Sequence, residues 1–200
     1  MDTIQATKIY VCREAAEEHG TMISMVLGFS SDPVMRWLYP NPASYLEHFP
    51  EFVGAFGGRA FAYGSAYYTE DFLGAALWLP PSVEADAERF VELIQRSVDE
   101  AKQRIVFETL QQMEAFHPTE PCWYLAMIGV DPVHQRRGLG SALMREVLDD
   151  CDRQNLPAYL ESTNPRNLTL YERHGFHRLG IIDTGEAPPL TPMLREPRTL

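Results

Sequence analysis

The stretch CWYLAMIGVDPVHQRRGLGSALM, Cys122 to Met144, decides the fold. Its first nine residues are apolar without alternation and are bounded by Pro121 and by Asp131-Pro132. That pattern predicts a central strand buried on both faces. The next residues carry two adjacent arginines and a Gly-x-Gly turn. Leu139, Ala142, Leu143, Val147 and Cys151 then recur at three-four spacing, which predicts a helix with one buried face. A helix start leaves backbone N–H groups without internal partners, and the helix dipole favours an anion there. Glycine lets that anion approach without meeting a Cβ.

The anion is narrowed by what the stretch lacks. A Walker A loop requires Gly-Lys-[Ser/Thr], which does not occur. A dinucleotide-binding fingerprint requires a small third position, where this chain has Leu143, and belongs near the start of a βαβ domain.

Working outward, PAYLEST reads as the next strand. Asn164 caps a short helix, with Pro165 at its first position and Gly175 just past its end. FHRLGIID and LTPMLR read as two further strands. On the N-terminal side, KIYVC is a first strand and EAAEEHGTMISMVLGF a helix. SSDPVMRWLYPNPAS is a Pro-broken loop with short helical turns. YLEHFPEFVGAF is helical, kinked or restarted at Pro50. RAFAYGSAYYT and DFLGAALWLP form an antiparallel pair. PSVEADAERFVELIQRS is a helix with Ser82 as its N-cap, and a second helix covers Val98 to Ala115. The sum is an α/β chain, residues 1–200, expected as one domain built on one mixed sheet.

Composition bounds the function. The 200 residues carry a formal net charge of -11. An acidic balance argues against a nucleic-acid partner. No segment has the apolar length of a membrane span, and no leader pattern opens the chain, so a cytoplasmic protein is expected. The three cysteines, Cys12, Cys122 and Cys151, form no Cys-x-x-Cys pair. They read as buried free thiols, with neither disulfides nor a metal site.

The segment Q-R-R-G-L-G resembles the Gln/Arg-x-x-Gly-x-Gly/Ala motif of the GCN5-related N-acetyltransferase (GNAT) superfamily. N-P-R-N-L-T-L-Y-E-R-H-G-F resembles the second signature of that superfamily, in the right order and at the family spacing. The likeness runs strongly from Pro118 to Phe176 and looks nearest to the puromycin N-acetyltransferase-like members. It implies a single mixed, mostly antiparallel sheet of about seven strands with helices on both faces. The sheet would splay between the strand at 122–130 and the strand at 157–162.

The resemblance also implies acetyl-CoA as co-substrate. Its pyrophosphate would sit on Gln135, Arg136, Arg137 and Gly138, and on the helix start at Leu139, Gly140 and Ser141. The pantetheine arm would pair with the backbone of Met127, Ile128, Gly129 and Val130, with Asn167 nearby. Tyr171 occupies the family's general-acid position. Glu161, a carboxylate near the end of an apolar strand, is the base candidate, since burial would raise its pKa into a useful range. His117 and Glu120 are minor relay candidates. His134 and His174 read as solvated loop and helix-end residues.

The acceptor pocket falls to the N-terminal third, where Asp32, Trp37, Tyr39 and Trp78 are the residues to inspect. The leading expectation is acetyl transfer to a primary amine of a small molecule, by a monomer or homodimer. The alternatives are a non-catalytic acyl-CoA sensor and an acyltransferase acting on a protein amine.

Overall fold

A computed structural model describes residues 7–198. Seven strands form one sheet in the order β1-β2-β3-β4-β5-β7-β6. They are β1 Ile9–Val11, β2 Ala66–Thr69, β3 Gly74–Leu79, β4 Trp123–Val130, β5 Ala158–Ser162, β6 His177–Arg178 and β7 Thr191–Arg195. Every neighbouring pair is antiparallel except β4–β5. The helices are α1 Ala15–Gly28, α2 Pro33–Leu38, α3 Pro42–Phe56, α4 Arg59–Ala62, α5 Ala87–Ser97, α6 Glu100–Phe116, α7 Leu139–Gln154 and α8 Leu168–Arg173.

Each face of the sheet carries its own core. On one side, Met25, Phe49, Val53, Leu93 and Ile94 from α1, α3 and α5 pack against Ala75, Leu77 and Leu79. On the other, Leu143, Val147 and Cys151 of α7 pack with Leu168 and Tyr171 of α8 against Ala76, Trp78 and Leu160. Adjacent β3 residues therefore point into different cores, and all six are buried. β3, not β4, is the strand buried at every position.

β4 departs from its expected burial because it walls two cavities. Tyr124, Ala126 and Ile128, which line those cavities, keep partial exposure. Its register also slips. Leu77 pairs with Met127 while Trp78 pairs with Leu125, so Ala126 is one extra residue on β4. This is a β-bulge, and it turns consecutive side chains toward the same face. Met127 accordingly joins the first core and Leu125 the second.

Several local expectations are corrected. Arg59–Ala62 is a helical turn rather than the start of a strand, and β2 begins only at Ala66, after Gly64 turns the chain with φ +64°. The N-cap of α5 is Asp86, whose Oδ1 accepts from the Arg89 N–H at 3.2 Å. Ser82 sits instead in a left-handed turn. α3 starts at Pro42 under an Asn41 cap and runs through Pro50. Pro50 deprives the Leu46 carbonyl of its helical partner. Leu46 is exposed, where water can replace that bond. FHRLGIID supplies only a two-residue β6 and an isolated bridge from Ile182 to Leu190. All three cysteines are free and buried.

Candidate active site

β4 and β5 pair only at Trp123–Ala158 and Tyr124–Tyr159. Beyond that point the two parallel strands part, and the β5-facing edge of β4 has no strand partner. A polar cleft opens there. Its walls include Met127 and Ile128 of β4, Gln135, Asn164, Asn167 and Tyr171. α1 reaches this point because Gly28 lies against β4. A Cβ on Gly28 would come within 2.7 Å of the Gly129 Cα, so only glycine permits the crossing.

Gln135, on the cleft wall, leads through Arg136 and Arg137 into the N-terminus of α7, none of whose residues lines the cleft itself. Arg136 has φ 63° and Gly138 has φ 86°. This alternation of hands turns successive N–H groups toward one side, the geometry of an anion nest. Gly138 provides no side-chain cap, and no acidic residue lies in the first turn. A Cβ on Gly138 would meet nothing within 4 Å. The uncapped N–H groups, the open space at Gly138 and the exposed Arg136 and Arg137 fit a diphosphate. Gln135 braces the loop by donating from Nε2 to the Val130 carbonyl at 3.2 Å.

Tyr171 enters the cleft from α8. Burial, and secondarily the Asp32 carboxylate, push its pKa well above the usual phenol range, so it stays protonated. Glu161 projects from β5. The residue keeps partial surface because it faces two cavities, yet its carboxylate lies deep among protein atoms. Burial raises its pKa to about 7. The Tyr124 hydroxyl donates to its Oε2 at 2.7 Å, which opposes that rise. Tyr159 also faces the carboxylate and lowers its pKa, although its hydroxyl lacks full hydrogen-bond geometry.

The second cavity lies on the other side of Glu161. Its volume is about 760 Å³, counting its open mouth, and aromatic and aliphatic side chains dominate the lining. Phe29, Ala126, Met127, Glu161 and Thr163 border both cavities.

The architecture that carries this bulged and splayed central strand has counterparts among known proteins. The "Acetyltransferase (GNAT) family" model matches residues 29–176. The chain belongs to the GNAT family of acetyltransferases. It is 35% identical over 80 residues to an uncharacterized N-acetyltransferase of Schizosaccharomyces pombe, covering 38% of this chain and 32% of that protein. It is 41% identical over 54 residues to the N-alpha-acetyltransferase RimI of Mycobacterium tuberculosis, 27% of this chain and 34% of that one. The matched stretches thus span about a third of these curated relatives. A Corynebacterium glutamicum protein described as "histone acetyltransferase HPA2 and related acetyltransferase" shares the fold at TM-score 0.70. It is 22% identical, over 98% of this chain and 99% of that one.

Within the GNAT frame, the expected residues fall into two sets. Met127, Ile128, Gln135, Asn167 and Tyr171 line one cleft, and Glu161 stands at its inner end. Tyr39 and Trp78, expected at the acceptor pocket, are core side chains. Tyr39 is 1% exposed and hydrogen-bonds Ser97, and Trp78 is fully buried; neither lines either of these two cavities. Trp37 does line the apolar cavity.

Asp32 is the N-cap of α2. Its Oδ1 accepts from the N–H groups of Val34 and Met35. Its Oδ2 accepts from the Thr163 hydroxyl at 2.6 Å, tying α2 to the end of β5. It borders the cleft beside Tyr171 rather than the apolar cavity. His117 stacks edge-on against Tyr124 and Tyr159, at 5.4 and 4.9 Å between ring centroids. Glu120 is exposed, and His134 is held by Asp131 at 3.0 Å. Among the described residues, no group of three or more His, Cys, Asp or Glu side chains is placed to hold a metal.

Sequence reasoning missed Tyr124 and Thr163. Tyr124 sits in an apolar strand run, where nothing local marks its hydroxyl as a partner for a carboxylate 37 residues away. The phenylalanines of α3 and α5 were legible as helix-face residues, with no sign that they also wall a cavity.

Proposed function

We propose that this chain is an acetyl-CoA-dependent N-acetyltransferase that acylates a primary amine of a small molecule. The observation that carries the reading is Glu161. It faces the polar cleft and the apolar cavity together, with burial raising its pKa to about 7. The puromycin-type members that the sequence resembles have a glutamate at this position, which adds support.

An alkylamine with pKa about 10.4 is almost entirely protonated at neutral pH, so a base must accept a proton before nitrogen can attack. Glu161, with an acidity near neutral, meets that demand. The amine nitrogen then bonds to the thioester carbonyl carbon. N–H groups of β4 near Met127 and Ile128, on the edge β5 leaves open, stabilise the negative charge that develops on the carbonyl oxygen. The C–S bond breaks, and Tyr171 gives its proton to the departing thiolate; the acylated nitrogen then returns its surplus proton to the Tyr171 phenolate, and Glu161 releases the proton it took to solvent. The α7 start, Asn167 and the β4 edge hold the coenzyme in place. We place the protein in the cytoplasm, in keeping with its three free cysteines.

The test mixes acetyl-CoA with an amine panel and follows free thiol and acetylated product together. The expected outcome is equimolar release of both. Tight acetyl-CoA binding without product from any amine or peptide would overturn the proposal in favour of a sensor domain.

A further inference from the structure

The apolar cavity is more selective than acetyl transfer requires. Any accessible amine would satisfy the chemistry at Glu161, yet the walls admit few kinds of body behind that amine. We propose that the acceptor is a monocationic primary amine on an apolar, ring-sized body, with no second charge and few polar groups. The inference rests on the apolar cavity being the acceptor site of the acetyltransferase read above.

Charge placement is the first ground. Among the described residues lining this cavity, Glu161 is the only charged side chain, and it stands at the boundary with the cleft. An ammonium at that end has a counter-ion. A second ammonium carried deeper has none, and burying an unpaired charge is costly. Aromatic faces attract cations more weakly than this cost. One of them is moreover already in use. The Lys102 ammonium lies 5.2 Å from the centroid of the Trp37 ring and donates to the Trp37 carbonyl. Positive charge thus already sits beside that wall.

The lining is the second ground. Phe52, Phe56 and Phe90 form contiguous ring contacts, with centroids 5.4 to 6.0 Å apart. Leu110 and Met113 of α6 add aliphatic surface. The polar lining is sparse, namely Thr109, Thr163 and the Tyr124 hydroxyl already given to Glu161. An amino sugar or a peptide would lose more hydrogen bonds to water than these groups could replace. An apolar body loses none and gains by leaving water, about 0.8 kcal/mol per methylene, or fourfold in affinity.

The deciding experiment measures kcat/KM over an alkylamine ladder from propylamine to heptylamine, with 2-phenylethylamine, putrescine, agmatine, glucosamine and a tripeptide. We expect about a fourfold rise per methylene until the cavity is filled. We expect 2-phenylethylamine to exceed putrescine and agmatine by about a hundredfold. A flat ladder, or a preference below tenfold, overturns the acceptor class while leaving acetyl transfer standing. No product from any amine despite acetyl-CoA binding overturns the catalytic reading and this inference with it. The variant Leu110→Glu supplies a second readout, by giving the cavity a second counter-ion. It should shrink the preference for 2-phenylethylamine over putrescine at least tenfold. An unchanged preference in a variant that melts like the wild type moves the acceptor out of this cavity.

Discussion

The two cavities that meet at Glu161 are built in opposite ways. The anion site proposed for the polar cleft comes from one continuous segment, Gln135 to Ser141, with uncapped backbone N–H groups and open space at Gly138. The apolar cavity collects side chains from Phe29 to Leu190, contributed by α2, α3, α5, α6 and both central strands. A site made of backbone at a helix start needs a fixed local spacing. A site made of side chains needs only that the fold bring apolar groups together, so its sequence is free to vary. The proposed donor half is therefore written as a motif, and the proposed acceptor half is written nowhere in particular.

Substituting the residue that belongs to both halves should have the largest effect. Glu161→Gln should lower kcat by about a thousandfold, within the usual range for general-base loss, while acetyl-CoA affinity stays within a few-fold. The wild-type kcat/KM should rise with pH through a limb near 7, and the variant should lack that limb. Stability should move the other way. A carboxyl group whose folded pKa is raised is neutral and harmless below its unfolded value of 4.5, and its stabilising proton is lost as pH climbs through about 7. Denaturant melts at pH 8 should show Glu161→Gln more stable than wild type by about 3 kcal/mol. At pH 4 that gap should close. A gap equal at both pH values would place the carboxylate in water rather than between the cavities.

Tyr171→Phe tests the cleft side alone. Its loss should cost about a hundredfold in kcat, with acetyl-CoA binding unchanged by calorimetry, because the ring still fills its place against Phe176. The cost should shrink for a donor whose thiol leaving group is more acidic, since such a thiolate needs no proton. An undiminished cost would make Tyr171 a packing residue.

Gly138→Ala tests the loop. At φ 86° an alanine is strained by about 1–2 kcal/mol, and its Cβ would project into open space proposed for the diphosphate. Acetyl-CoA affinity should fall about tenfold or more. The ranking of amines should be unchanged, since no acceptor-cavity residue is touched.

The same contrast explains how much was legible beforehand. The order of strands and helices around β4 followed from the unbroken apolar run, the Gly-x-Gly turn and the three-four spacing of α7. Glu161 stood out because a carboxylate ends an otherwise apolar strand. The N-terminal half was harder for physical reasons. Arg59 to Ala62 opens an apolar, aromatic run that reads as β-like, yet Gly57 and Gly58 end α3 just before it and the chain makes a single helical turn there. Trp78 and Tyr39 are candidates for either role in sequence, with the core reading ahead for Trp78, because an aromatic facing a cavity and one facing a core carry the same local pattern. The bulge at Ala126, which sends Met127 and Leu125 to opposite faces, comes from pairing with β3 and leaves no mark in the apolar run itself.

The smallest expected effect concerns the arginine pair. Arg136 and Arg137 are exposed, so each is screened by water and salt and gains little from a contact at its own position. Their value lies in offsetting a net charge of -11 where a polyanion must approach. Replacing both by alanine should weaken acetyl-CoA binding three- to tenfold at low ionic strength, mainly through a slower association rate in stopped-flow measurements. At 0.5 M salt, where the Debye length falls below about 5 Å, the difference from wild type should nearly vanish. A loss that persists in high salt would mean a fixed hydrogen bond to phosphate from one of the guanidinium groups. The donor site would then depend on side chains as the acceptor site does, and the division between a backbone-built half and a side-chain-built half would no longer hold.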